Sequence, residues 1–128
     1  MADNKAVVDV EIQVPAGATA GSFTSLSHLD GPYKIVSMDG SLTSANGTGA
    51  SRFMGVSTVR ADGVTSGSIF GVREATQALS ASSPAGTALI AGTVGTGSFN
   101  IVNASSAIKV TSGADTGAAE LHFKLVRI

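Results

Sequence analysis

Residues 118–128 read AAELHFKLVRI, and apolar and polar side chains alternate along nearly all of this stretch. Four apolar residues alternate with three polar ones: Ala119, Leu121, Phe123 and Leu125 with Glu120, His122 and Lys124. Because successive side chains of a β-strand point to opposite faces of the sheet, a period of two is typical of a strand with one buried face. The stretch therefore predicts a long strand whose apolar side chains pack into a core.

The first patterned segment, residues 6–14, shows the same alternation. Its apolar and polar positions are Val8, Val10, Ile12 and Val14 against Asp9, Glu11 and Gln13. The sequence Pro-Ala-Gly at residues 15–17 ends the segment, because proline has no amide hydrogen to donate to a neighbouring strand. A well-patterned strand near each end of the chain predicts that both ends are tied into the sheet structure.

Seven further segments, separated by turn signals, are typical of short strands: residues 22–26, 33–38, 52–60, 65–73, 87–94, 98–103 and 107–111. The clearest hairpin joins residues 52–60 to residues 65–73 through Ala61-Asp62-Gly63, in which aspartate and glycine supply the turn conformations.

Alternation within residues 33–38 predicts two faces, with Tyr33, Ile35 and Ser37 on one and Lys34, Val36 and Met38 on the other. Asp39-Gly40 is predicted to end this strand. Residues 41–50, which contain Asn46-Gly47-Thr48-Gly49, are predicted to form a loop or a wide hairpin connection and are the candidate for a flexible surface element. Residues 74–82 are predicted to cross between sheets with at most one turn of helix, because two turns of helix-forming residues are too short to be stable alone.

This succession of about eight short strands predicts an all-β fold, with a two-sheet sandwich, a jelly roll or a small barrel as the candidates. We expect a two-sheet antiparallel sandwich of the jelly-roll kind, since the long connections near residues 15–22, 41–50 and 74–86 suit two Greek keys. A chain of 128 residues has room for one such domain, residues 1–128, preceded by a short N-terminal arm, residues 1–5.

The composition excludes several classes of function. Ala, Ser, Gly and Thr make up half of the 128 residues, whereas charged residues are 13% and the net charge is −1. The scattered, balanced charges lack the basic stripe that nucleic acid requires, and no apolar run is long enough to predict a membrane-spanning helix. The absence of cysteine and of a secretory-type leader predicts folding in a cytoplasm. A surface with so few charges favours an oligomer.

Candidate catalytic and metal-binding residues are scarce. The two histidines, His28 and His122, belong to no Gly-x-Ser-x-Gly or His-x-His pattern, and the Asp-Gly pairs are interpreted as turns rather than calcium ligands. Residues 92–98, GTVGTGS, lack the lysine of a phosphate-binding loop and lie between strand-like segments. We therefore predict no catalytic, cofactor-binding or metal-binding residue, no cofactor, and no enzyme activity.

In its polar lead, residues 1–5, its Gly- and Ala-rich loops such as residues 16–21, and its patterned end, residues 119–128, the chain resembles the decoration (cement) proteins of tailed-phage capsids. The resemblance is one of size and character across the whole chain and involves no diagnostic motif. It implies a structural virion protein, often a trimer, that binds the major capsid protein and stabilises the shell without catalysis. It also implies a location on virions assembled in the host cytoplasm.

The N-terminal arm supplies the candidate partner contacts, Ala2, Asp3, Asn4 and Lys5, because it is free to reach away from the first strand. The alternative interpretation is a carbohydrate- or receptor-binding β-sandwich module of a viral fibre or tail. In that case the contact surface is predicted at residues 41–50 and 95–97.

Overall fold

The computed structural model describes residues 6–60, 65–74, 79–92 and 101–128, with backbone only for residue 60 and residues 65–70. The predicted N-terminal arm, the turn at residues 61–63 and most of the glycine-rich segment at residues 92–98 lie outside this part of the chain. The predictions made for them stay predictions.

The described residues form nine strands and no helix: β1 Val7–Val14, β2 Ser22–Ser25, β3 Tyr33–Leu42, β4 Met54–Arg60, β5 Thr65–Arg73, β6 Ala88–Ala91, β7 Ile101–Val102, β8 Ser106–Ser112 and β9 Ala119–Arg127. Every pairing between them is antiparallel. The all-β prediction is confirmed, and so is the pairing of β4 with β5 that the hairpin required.

Eight of the strands follow one path, in the order β1-β9-β3-β6-β5-β4-β8-β2, and β7 pairs with β3 beside it. The two ends of the path, β1 and β2, contact each other, so the sheet nearly closes into a barrel-like shape. The predicted two-sheet sandwich with jelly-roll topology is not confirmed. The sheet has two halves, β1-β9-β3-β6 and β5-β4-β8-β2. Strand β5 joins them, because it pairs with β4 along most of its length and with β6 at Val72 and Arg73.

In the half formed by β1, β9, β3 and β6, strand β9 pairs with β1 on one side and with β3 on the other. Its alternate residues Leu121, Phe123 and Leu125 are fully buried, as the alternation predicted. On β1 the inward residues are likewise buried, with Val8 packed partly against them. Both patterned end segments therefore contribute one face each to the core and leave the other face outside.

In β3 the structure corrects two predictions. The register shifts between Ile35 and Ser37, so that Met38 is buried on the same side as Ile35 instead of facing outward with Lys34. Such a bulge places two consecutive residues on the outside, here Val36 and Ser37.

The strand also runs on through Asp39 and Gly40 to Leu42, where the sequence predicted a turn. Gly40 is needed inside the strand because a Cβ there would overlap the carbonyl oxygen of Glu120 on β9.

The loop between β3 and β4 is anchored by the buried side chain of Asn46. Its Nδ2 donates to the carbonyl oxygen of Ser80 at 3.0 Å and to Oε1 of Glu74 at 3.3 Å, and its Oδ1 accepts the amide of Gly117 at 2.8 Å. One side chain thus joins three segments that are distant in sequence. These bonds argue against the flexible loop that the sequence predicted.

Candidate docking surface

The two histidines lie on the outside of the fold. His28 is exposed in the turn after β2, and His122 is exposed on β9. Of the two histidines, His122 but not His28 belongs, within the described residues, to a group of three side chains that could hold a metal ion.

The outer face of β1, β9, β3 and β7 carries at one end a row of four side chains, three of which are apolar. The strand registers place Val7 opposite Val126, Val126 opposite Lys34, and Lys34 opposite Ile101. Directly opposed residues of an antiparallel pair point to the same face, so these four side chains lie side by side. Val7 and Ile101 are 56% and 44% exposed.

A cleft next to this row extends the apolar surface. It is lined by Lys34, Val36, Val126, Arg127 and Ile128. Val36 is 46% exposed, because it lies on the same outer face as Lys34 two residues before it, and Ile128 is 57% exposed.

We define the apolar corner as Val7, Val36, Ile101, Val126 and Ile128. Contiguous exposed apolar patches of this kind typically mark sites where another macromolecule binds.

Two basic side chains, Lys34 and Arg127, lie at the apolar corner. Lys34 lies at the middle of the row and forms no ion pair within the described part of the chain. Arg127 donates from Nη1 to Oδ2 of Asp30 at 2.8 Å, and the hydroxyl of Tyr33 donates to Oδ1 of Asp30 at 2.8 Å. The Tyr33 hydroxyl first, and the Arg127 guanidinium in addition, lower the pKa of Asp30. Lys34 is therefore the unpaired charge of the corner, and a partner with an acidic group complements it.

The other end of the same face is polar. Glu11 lies opposite His122, and Gln13 lies opposite Glu120. His122 Nε2 is 2.9 Å from Glu120 Oε1, and Gln13 Nε2 donates to Glu11 Oε1 at 2.6 Å. Hydrogen bonding by Gln13, and then by His122, lowers the pKa of Glu120.

A potential metal-ligand set is present at this polar end. The ligand atoms of Glu11, Glu120 and His122 all lie within 4.8 Å of one another. The sequence did not predict this set, because Glu11 belongs to β1 and the other two residues belong to β9, at the opposite end of the chain. The sequence does place all three residues at polar positions of the two alternating end segments. The set becomes visible once β1 is known to pair with β9.

The contact residues predicted for a glycan- or receptor-binding module, residues 41–50 and 95–97, stay predictions. Residues 41–50 include the last two residues of β3 and the loop anchored by Asn46. Residues 95–97 lie outside the described residues, as do the predicted contacts Ala2, Asp3, Asn4 and Lys5. The sequence did not predict the apolar corner, because its residues come together only through the pairing of strands that are distant in the chain.

Within the residues that the structure describes, no helix is long and apolar enough to cross a membrane.

No protein-family model and no curated protein matches the chain. Among solved structures, a chain of the cyanophage Pam1 capsid asymmetric unit is similar to it, with 18% identity and a TM-score of 0.43, over 98% of this chain and 86% of that one. At this identity and TM-score the similarity carries no argument about the function of this chain.

Proposed function

We propose that this chain is a structural virion protein that decorates a phage capsid, binding the major capsid protein and stabilising the shell without catalysis. The observation that carries the proposal is the apolar corner, an exposed apolar patch whose members other than Ile128 lie on strands that also contribute to the core. A docking surface built on such strands is rigid, so that little ordering entropy is lost on binding.

The energetics suit attachment in many copies. Burial of apolar surface contributes roughly 25 cal/mol per Å², so a patch of a few side chains gives modest affinity for one contact. Copies linked into an oligomer bind a repetitive shell far more tightly than one copy does, because the second contact is made at high effective concentration. The predicted trimer belongs to the proposal for this reason, and the low surface charge supports it.

The test is cosedimentation of the purified chain with shells that lack it, taken from the virus that encodes the chain. We expect saturable binding at a fixed number of copies per shell, and a higher temperature of shell disruption when the sites are filled. A chain that stays in the supernatant at every concentration, and that is a monomer by analytical ultracentrifugation, would contradict the proposal.

A further inference from the structure

We propose that Glu11, Glu120 and His122 form a binding site for a divalent transition-metal ion of the zinc class, a role separate from shell binding. The site lies on the outer face of β1 and β9, at the polar end of the face whose other end carries the apolar corner.

The backbone places the three side chains together. Glu11 and His122 are opposed across the β1–β9 ladder, and Glu120 precedes His122 by two residues, so that all three point outward. The ladder runs without a break from Val7 to Val14, which holds the three Cα atoms in a fixed arrangement. Two carboxylates and one imidazole therefore meet on a rigid surface.

The distances are close to those a metal ion needs. Zinc-to-ligand bonds of about 2.0–2.2 Å place two ligands of a tetrahedral ion about 3.4 Å apart. The His122 Nε2 to Glu120 Oε1 distance is 2.9 Å, and no pair of the three ligand atoms exceeds 4.8 Å. Small side-chain rotations at this exposed surface bring all three ligand atoms within bonding range, and a fourth position stays open to solvent.

Acidic side chains outnumber basic ones around the site, because Lys124, two residues after His122 on the same face, lies opposite Asp9 of β1. Glu11 and Glu120 place two carboxylates side by side, and Asp39 of β3 lies opposite His122 on its other side. Gln13, the neutral hydrogen-bond donor to Glu11, offsets none of this negative charge. A divalent ion bound between the carboxylates replaces their repulsion by attraction.

The imidazole selects the class of metal. Mg²⁺ and Ca²⁺ prefer sites made only of oxygen ligands, whereas imidazole nitrogen suits Zn²⁺, Ni²⁺ and Cu²⁺. A set of three protein ligands with one open position is the arrangement typical of zinc sites that accept a further ligand.

The test is isothermal titration of the whole chain, first treated with a chelator, with ZnCl₂ and with MgCl₂. We expect one Zn²⁺ per chain and no measurable Mg²⁺ binding. Loss of even an outer-shell partner weakens a metal site by about 10–100-fold, so His122→Ala is expected to weaken Zn²⁺ binding at least about tenfold. Glu120→Gln is a second variant that keeps the size of the side chain.

The matched control is His28→Ala, which removes the other exposed histidine and is expected to bind Zn²⁺ as the unchanged chain does. Unfolding midpoints without metal establish that each variant is folded, and Zn²⁺ is expected to raise the midpoint of the unchanged chain but not that of His122→Ala. Absence of Zn²⁺ binding at millimolar concentration, or equal binding by His122→Ala, would overturn the site. Shell binding is measured separately, so neither proposal depends on the other.

Discussion

Gly40 shows how a single residue is constrained by a neighbouring strand. A Cβ at this position would overlap the backbone of Glu120 and the side chain of Leu121, and neither can move without disturbing the centre of the sheet. Gly55 of β4 is a matched control, because a Cβ there would meet nothing within 4 Å.

Gly40→Ala is expected to lower the free energy of unfolding by about 3 kcal/mol, the upper range for forcing an extra methyl group into a packed site. Gly55→Ala is expected to change it by less than about 0.5 kcal/mol, as surface substitutions usually do. Urea unfolding of both variants measures the difference. Equal losses in the two variants would show that the contact between β3 and β9 is looser than described.

The carboxyl group of Asp30 makes the stability of the fold depend on pH. Its pKa is lowered from 3.8, chiefly by the hydrogen bond from Tyr33 and also by the charge of Arg127. A carboxyl with a lowered pKa in the folded state stabilises the fold at pH values above the unfolded pKa, and this contribution is lost as the pH falls through the folded pKa.

Asp30→Asn is therefore expected to be less stable than the unchanged chain near neutral pH, and the difference is expected to shrink as the pH falls below 3.8. Thermal unfolding followed at several pH values measures it. A difference of the same size across the whole acid range would mean that the carboxylate charge is not what stabilises this cluster.

The loop after β3 is anchored by the buried side chain of Asn46. Removing the amide of Asn46 leaves the Gly117 amide without its acceptor and removes one donor to Glu74, in a site where water is excluded. An unsatisfied buried polar group costs about 1–3 kcal/mol, so Asn46→Ala is expected to lower the free energy of unfolding by that amount.

The control for this loop is Thr48→Ala, an exposed position two residues away, with an expected change under about 0.5 kcal/mol. Hydrogen exchange adds a local measurement, since the Gly117 amide is expected to exchange faster in Asn46→Ala only. Unchanged protection of Gly117 would contradict the assigned hydrogen bond.

The strands differ in how far the sequence predicts them. The sequence predicted β1 and β9 closely. Each strand buries one face, and a strand with one buried face has apolar residues at every second position of its sequence. β3 was predicted only in part, because the bulge after Ile35 breaks the period and Gly40 belongs to a strand for a reason that lies on β9. The glycine of a turn and the glycine of a close strand contact look alike in sequence.

For the whole molecule, the strand order could not be predicted, because pairing between distant segments leaves no local signal. β8 lies between β4 and β2, and β9 lies between β1 and β3. The apolar corner and the Glu11–Glu120–His122 set follow from this order, as each collects residues from strands far apart in the chain. The sequence could predict that one face of each end strand is exposed, but not which exposed residues meet.

The largest feature of the molecule with a proposed role is the apolar corner, which we propose docks on the shell. Val36 and Ile101 are its exposed members on β3 and β7, and both project away from the core. Phe53, 51% exposed just before β4, is the control, since β4 is distant from β9 in the strand path.

Cosedimentation of three forms of the chain with shells that lack it tests this claim most directly. The double variant Val36→Glu, Ile101→Glu is expected to lose binding by more than about tenfold, a change of roughly 1.4 kcal/mol, at an unchanged unfolding midpoint. Phe53→Glu is expected to bind as the unchanged chain does. Full binding by the folded double variant, or loss of binding in Phe53→Glu alone, would contradict the assignment of the docking surface.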